Sequence, residues 1–407
     1  MTFGQLCKQE VDSLKNKELY KDTEVGRIPV DWEVKIWNEI SDVRDGTHDS
    51  PKYYNDGVKF VTSKNIINGK LDLKDVSYIS YEDAHAINQR SKVDQGDILM
   101  SMIGTIGDAV VVDFEPDFCI KNVALIKPDS SKILSSFMYQ TIISNYYQQY
   151  IKDKLDGGIQ KFISLANLRK LSIPLPPLPE QKAIAKVLSD IDELIETIEK
   201  LIHKKKQIKQ GAMQELLTGK KRLAGFSGKW EVKKLQEIFD ITAGGDLRKD
   251  MYSKIKDDIH VYPIYSNGLD NKGLYGYSSN YDYTEEAITV TARGTIGYAI
   301  YRDHKFCAIG RVLVLKPKLK INNFFVSQYI NNNIEFTIEN TGVPQLTAPK
   351  ISVYKIPLPP LPEQKAIAQI LSDMDAEIEA LEKKLDKYRK IKEGMMEKLL
   401  TGQVRLV

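Results

Sequence analysis

The sequence predicts a repeated α/β protein: two mixed α/β domains separated by two long antiparallel coiled-coil helices, the halves related by an internal pseudo-twofold repeat. Three observations carry this expectation. A segment of about 51 residues occurs twice, both copies hold a heptad pattern of apolar residues, and each is preceded by short strand-like runs punctuated by Gly, Asp and Pro.

IPLPPLPEQKAIA stands at 173–185 and again, letter for letter, at 356–368. The likeness continues at constant offset through LSD, LLTG and RL, with about 32 of 51 positions identical. Outside these copies it is weaker but ordered. WEVK at 32–35 matches 230–233, and GTIG at 104–107 matches 294–297. The order is therefore variable, constant, variable, constant, and the predicted boundaries are 1–173 (with an N-terminal extension, 1–25), 174–223, 224–356 and 357–407.

Each constant segment opens on prolines, which hold the chain extended. Pro179 and Pro362 then suit a first helical position, and Glu180 and Glu363 meet the positive end of the helix dipole. Ile184, Leu188, Ile191, Ile195, Ile198 and Ile202 recur at spacings of four and three, and Ile367, Leu371, Met374, Ile378, Leu381 and Leu385 repeat them. Thr218-Gly219 and Thr401-Gly402 supply the stops. A helix of roughly 40 residues with one apolar stripe needs that stripe covered, and its twin is the natural cover.

In the variable segments, residues 98–100, 109–112 and 123–126 read as strands, followed by a helical stretch over 134–151. Residues 287–290, 298–301 and 312–315 repeat the pattern. GTIG between two strands is a tight loop, so Gly104, Thr105, Gly294 and Thr295 are candidate contacts with something bulky, although a plain turn would need the same glycines. Arg293 before the second copy, where Ile103 stands in the first, favours phosphate or a guanine edge. Lys64, Asn65, Ser266 and Asn267 follow short apolar runs, and Gln160, Lys161 and Gln345 precede the constant segments. These are side chains of the kinds that read base edges or phosphates, or that simply meet solvent.

A net charge of +3 favours a polyanionic partner only weakly, and 42% apolar with 28% charged residues is ordinary for a water-soluble chain. No apolar run is long enough to span a bilayer, and the first residues lack a secretory core, which together suggest a cytoplasmic protein without a membrane partner. Cys7, Cys119 and Cys307 are too few for a disulfide framework. The five histidines form no ligand cluster, so no metal is expected.

PLPPLPEQ opening a long helix twice, LLTGxxRL closing each, and GxIPxDWEV before the first variable segment (Gly26, Ile28, Pro29, Asp31, Trp32, Glu33, Val34) together resemble the specificity subunit of type I restriction-modification systems. The resemblance covers nearly the whole chain. It implies two target recognition domains, each reading half of a split, asymmetric site in double-stranded DNA, with the paired helices as spacer. It also implies docking of two modification subunits, recruitment of restriction subunits, and S-adenosylmethionine, ATP and Mg on those partners, with no cofactor on this chain. Residues 1–25 depart from the repeat, having no counterpart before the second domain.

An intrinsic methyltransferase would need an NPP[FY]-type tetrapeptide and a GxG loop after a strand, and neither is present. The rival is a coiled-coil adaptor binding proteins alone. It explains the helices equally well, but not two diverged domains between spacers identical over 13 residues.

Overall fold

The computed structural model describes residues 19–157, 161–284, 286–337 and 344–406. The chain divides into two compact units, one running to Ile198 and resuming at Lys384, the other spanning Glu199–Lys383. These limits cut across the linear boundaries expected from the repeat. The reason is that each unit takes its core from the start of one long helix and the end of the other.

The long helices are Leu178–Leu216 and Leu361–Leu399, each of 39 residues. In unit 1, Ile184, Ala185 and Leu188 from the first helix and Met396, Leu399 and Leu400 from the end of the second join one hydrophobic core. Unit 2 uses the repeat-equivalent residues in exchange: Ile367, Ala368 and Leu371 with Met213, Leu216 and Leu217. All twelve seam residues are buried or half-buried, but the first two of each set face the adjoining domain rather than serving the helix pair alone. Ion pairs record an antiparallel course. Lys205 meets Glu377 at 2.6 Å and Lys209 meets Asp375 at 2.5 Å in unit 2, and Asp192 meets Lys392 at 2.6 Å in unit 1.

The PEQ tripeptide that starts both helices does more than favour the helix dipole. Glu180 is fully buried; Trp32 Nε1 donates to its Oε2 at 3.0 Å, and Arg405 grips both its oxygens at 2.5 and 2.7 Å. Arg405 also takes Asp31 in a second fork and holds that carboxyl below its usual range. The same latch stands in unit 2, where Glu363 accepts from Trp230 Nε1 at 3.2 Å and from Arg222 at 2.6 and 2.7 Å. The neighbouring glutamines are anchors. Gln181 accepts from Leu134 N and donates to Lys132 O and Pro176 O; Gln364 accepts from Asn322 N and donates to Pro359 O.

Each unit carries a four-stranded antiparallel sheet. The order is Ala109–Val111, Ile98–Ser101, Val123–Pro128, Ser41–Asp45 in unit 1, and Ala299–Arg302, Ala287–Val290, Leu313–Pro317, Phe239–Ala243 in unit 2. The central strands are mostly apolar because alternate residues enter two different cores. Ile98 and Met100 face the helix side while Leu99, Val123 and Leu125 face a second cluster, and Ile288 and Val290 against Ala287 and Val314 repeat this. That second cluster lies under a smaller sheet. Val58–Thr62 runs parallel to Phe118–Lys121, and Tyr262–Tyr265 runs parallel to Cys307–Ala308.

The expected helix over 134–151 is two helices, Ser135–Ile143 and Asn145–Lys152, broken where Ser144 caps the second. Cys119 and Cys307 are buried free thiols, and burial pushes Cys119 up to about 11. Of the N-terminal extension, Tyr20–Thr23 pairs with Gly26–Pro29 as a hairpin, and Tyr20 donates to Gly402 O; residues 1–18, with Cys7, lie outside the described residues. Among the described residues no helix is long and apolar enough to cross a membrane.

Removing Arg405 leaves a fully buried carboxylate with a single indole donor. Breaking a buried pair costs about 3–5 kcal/mol, and because Arg405 is itself a third exposed, Arg405→Ala is expected to fall at the lower end, about 3 kcal/mol. Hydrogen exchange should report loss of protection in the first turns of the Leu178–Leu216 helix, with unit 2 retaining its own. Unchanged protection at that helix start would show that the latch does not seat it.

Candidate nucleic-acid interface

The GTIG loops join the edge strand of each four-stranded sheet to its neighbour. Gly104 and Gly107 have φ of +78° and +92°, Gly294 and Gly297 +69° and +89°, so the turn itself requires all four glycines. The loops close through Gly107 N to Ser101 O at 3.0 Å and Gly297 N to Thr291 O at 2.8 Å. Their tips remain outward: Gly104 and Thr105, and Gly294 and Thr295, are exposed, while Ile106 and Ile296 pack on the cores.

In unit 2 the residues singled out from sequence converge. Asn267 Oδ1 accepts from Ala292 N at 2.7 Å and Arg293 N at 3.2 Å, while its amide donates to Gly310 O at 2.7 Å. Arg293 donates through Nε and Nη2 to Gln345 Oε1 at 3.2 and 3.0 Å. Ser266 stands beside Asn267, half-buried, its N–H bonded to Gly273 O. Four separate chain segments thus meet at one loop face carrying an exposed arginine.

In unit 1 the same segments meet with different side chains. Ser101 Oγ reaches Ser63 O at 3.4 Å, which brings the Ser63–Asn65 turn beside the GTIG loop, and Ile163 N donates to Met102 O at 3.1 Å, which brings in Lys161 and Phe162. Lys64 and Lys161 are exposed. Gln160 lies outside the described residues. Asn65 is a correction: it is 3% exposed, its Oδ1 accepts from Thr62 N and Oγ1, and its amide donates to Asp72 O and Asp75 O. A side chain so engaged staples its own turn and has nothing left for a base edge.

Several members of this cluster gave no sequence signal. His48 Nε2 lies 2.9 Å from Asp45 Oδ2 and its Nδ1 2.7 Å from Asn122 Oδ1; Asp45, 4% exposed, also pairs with Arg90. These residues are scattered from Asp45 to Asn122, and only the fold brings them together. Of the tyrosines in unit 2, Tyr265 and Tyr283 belong to the hydrophobic cluster with Phe306, so packing accounts for them. Arg302 is buried over the Tyr265 ring at 3.4 Å, and burial lowers its pKa to about 10.

Among the described residues, no three His, Cys, Asp or Glu side chains gather as a metal-holding group. The family model for the type I restriction modification DNA specificity domain matches residues 29–210 and again residues 227–388. The chain belongs to the type I restriction-modification specificity-subunit family.

The putative type I restriction enzyme MjaX specificity subunit of Methanocaldococcus jannaschii is 31% identical over 419 residues, spanning 96% of this chain and 97% of the relative. The MjaVIII specificity subunit of the same organism is 26% identical over 424 residues, with 96% and 97% covered. Among solved structures, the S subunit of a type I restriction-modification system from M. genitalium has a TM-score of 0.64 at 18% identity, covering 90% of this chain and 96% of that one. At that identity the likeness concerns the fold, and it extends over both units. Each matched stretch of the family model runs from a sheet domain into the long helix that follows it.

Proposed function

We propose that this chain is the non-catalytic, DNA-reading subunit of a type I restriction-modification complex, each unit's loop cluster reading one half of a bipartite, asymmetric site. The observation that carries this reading is the meeting of separate chain segments at the GTIG loop face of each unit, with Arg293 exposed there in one and Lys64 and Lys161 in the other, in a chain matched twice by a DNA specificity domain. Methyl transfer with S-adenosylmethionine, and restriction with ATP and Mg, belong on this reading to partner subunits. The test is a gel shift of the full chain, with its modification subunits, on duplexes selected from a random library. Binding should be sequence-selective, and log affinity should fall linearly with log salt by about 0.9 per phosphate neutralised. Salt-independent or sequence-blind binding would favour the adaptor reading.

The paired helices, as a coiled coil, are proposed to dock two modification subunits. Two equal partners need two equal sites, and the 13 identical residues offer them. Glu196 and Glu382 are unsuited to a docking test because they pair with Lys70 and Lys206. Lys182 and Lys365, exposed and equivalent, are better positions. Lys182→Glu with Lys365→Glu is expected to reduce co-purification of the modification subunits while leaving the melting temperature unchanged. Full co-purification would move the docking site elsewhere.

The same helices are proposed to set the gap between half-sites, since each contributes its start to one unit's core and its end to the other's. One heptad added after Ile191 and one after Met374 keeps the apolar seam in phase and lengthens each helix by about 10 Å. At about 3.4 Å per base pair, the unspecified gap should grow by up to about three base pairs with both half-site sequences unchanged. Methylation mapping reads this directly, and retention of the original gap would mean that the helices do not measure distance.

A further inference from the structure

In both units the strand leading into the GTIG loop is tied to the segment before the long helix by one backbone bond. Ile163 N donates to Met102 O at 3.1 Å in unit 1, and Leu346 N donates to Ala292 O at 2.9 Å in unit 2. The bond matches two positions across the units: the residue after the acceptor and the residue before the donor. In unit 2 these are Arg293 and Gln345, joined side chain to side chain. In unit 1 they are Ile103 and Phe162, paired through an isolated antiparallel bridge and left 37% and 40% exposed. One scaffold position thus holds a polar, donor-rich pair in one unit and an outward apolar pair in the other.

Among the described residues, Ile103 and Phe162 belong to none of the hydrophobic clusters of the unit. They line a cleft of about 290 Å³ that His48 and Asn122 also line. The opposite pair is prepared for acceptors. Gln345 Oε1 occupies two of the five guanidinium donors of Arg293, fixing its plane, and leaves further N–H groups free on both side chains. Guanine presents two acceptors, O6 and N7, in the major groove, whereas thymine presents a 5-methyl group beside O4.

We propose that these matched positions are the specificity-determining pair of each unit: Arg293 with Gln345 reads a guanine in one half-site, and Ile103 with Phe162 reads a thymine methyl in the other. The proposal rests on the DNA-reading function above. It deepens that function by assigning base chemistry to named residues.

Full chain in complex with its modification subunits is used to select duplexes from a random library, and the selected site is then resynthesised with base analogues. Failure to enrich any sequence would overturn the reading of the protein as a DNA reader, and this proposal with it. Where a site is enriched, 7-deaza-guanine at the assigned guanine, which removes N7 alone, is expected to weaken wild-type binding about tenfold to a hundredfold and to leave Arg293→Ala unaffected. Deoxyuridine at the assigned thymine, which removes the methyl alone, is expected to weaken binding about fourfold, and the difference should vanish in Ile103→Ala with Phe162→Ala. Both analogues act on wild-type protein, so the test does not depend on a variant folding. An enriched site with no guanine or thymine sensitive to its analogue would overturn the assignment. So would an Arg293→Ala variant that weakens binding to all sequences alike with a shallower salt slope, since that is the behaviour of a phosphate contact.

Discussion

A carboxylate buried in the first turn of a helix must be met by opposite charge, and in both units that charge arrives from just beyond the end of the other long helix. Glu180 cannot be seated without Arg405, nor Glu363 without Arg222. The desolvation of such a group is compensated only by close, multiple donors, which the guanidinium fork and the indole N–H of Trp32 or Trp230 supply. Much else follows from those contacts. The indole fixes the strand that enters each domain, the arginine fixes the chain leaving the opposite helix, and Gln181 or Gln364 on the next position holds Leu134 or Asn322, where a shorter helix earlier in the same domain begins.

The repeat made half of this visible in the sequence. Identical residues at constant offset, a period of three and four, and a threonine-glycine stop are local signals, so the helices were legible together with their limits. The partners of Glu180 and Glu363 were not legible, because a first-turn acid is equally explained by the helix dipole, and Arg405 lies 225 positions away. The two-helix break at Ser144 was hidden for a similar reason. Ser144 sits inside an apolar-periodic stretch and acts as an N-cap only because the chain turns there.

The sheets illustrate a different limit. Residues 98–100 are an unbroken apolar run and 287–290 one broken only by Thr289, which sequence alone assigns to strand with no face preference. The structure resolves the ambiguity through two cores, one on each face, so alternation is present but both alternatives are apolar. The smaller sheet escaped notice because Val58–Thr62 and Tyr262–Tyr265 are short, and each owes its place to a parallel neighbour more than forty residues later in the chain. At the loop face, polarity was a fair guide where the side chain is exposed, as for Arg293 and Lys64. It misled at Asn65, whose amide is consumed by its own turn. Exposed apolar residues such as Ile103 and Phe162 carry no polar signal at all, and only their juxtaposition gives them significance.

Why the helices repeat while the loop faces differ follows from what holds each in place. On the helices, side chains themselves make the fixing contacts: seam residues fill buried or half-buried positions, latch acids and anchoring glutamines fill buried ones, and a change in one copy disturbs packing or leaves a charge unmet. At the loop face, the fixing contact is backbone to backbone, Ile163 to Met102 and Leu346 to Ala292, and does not depend on the residues that flank it. The flanking side chains project outward and can change in size and polarity without shifting the register of the strands beneath. Arg293 and Gln345 can therefore occupy the places that Ile103 and Phe162 hold in the other unit. At those positions the fold neither needs nor notices the side chain, so they can carry different chemistry on one scaffold.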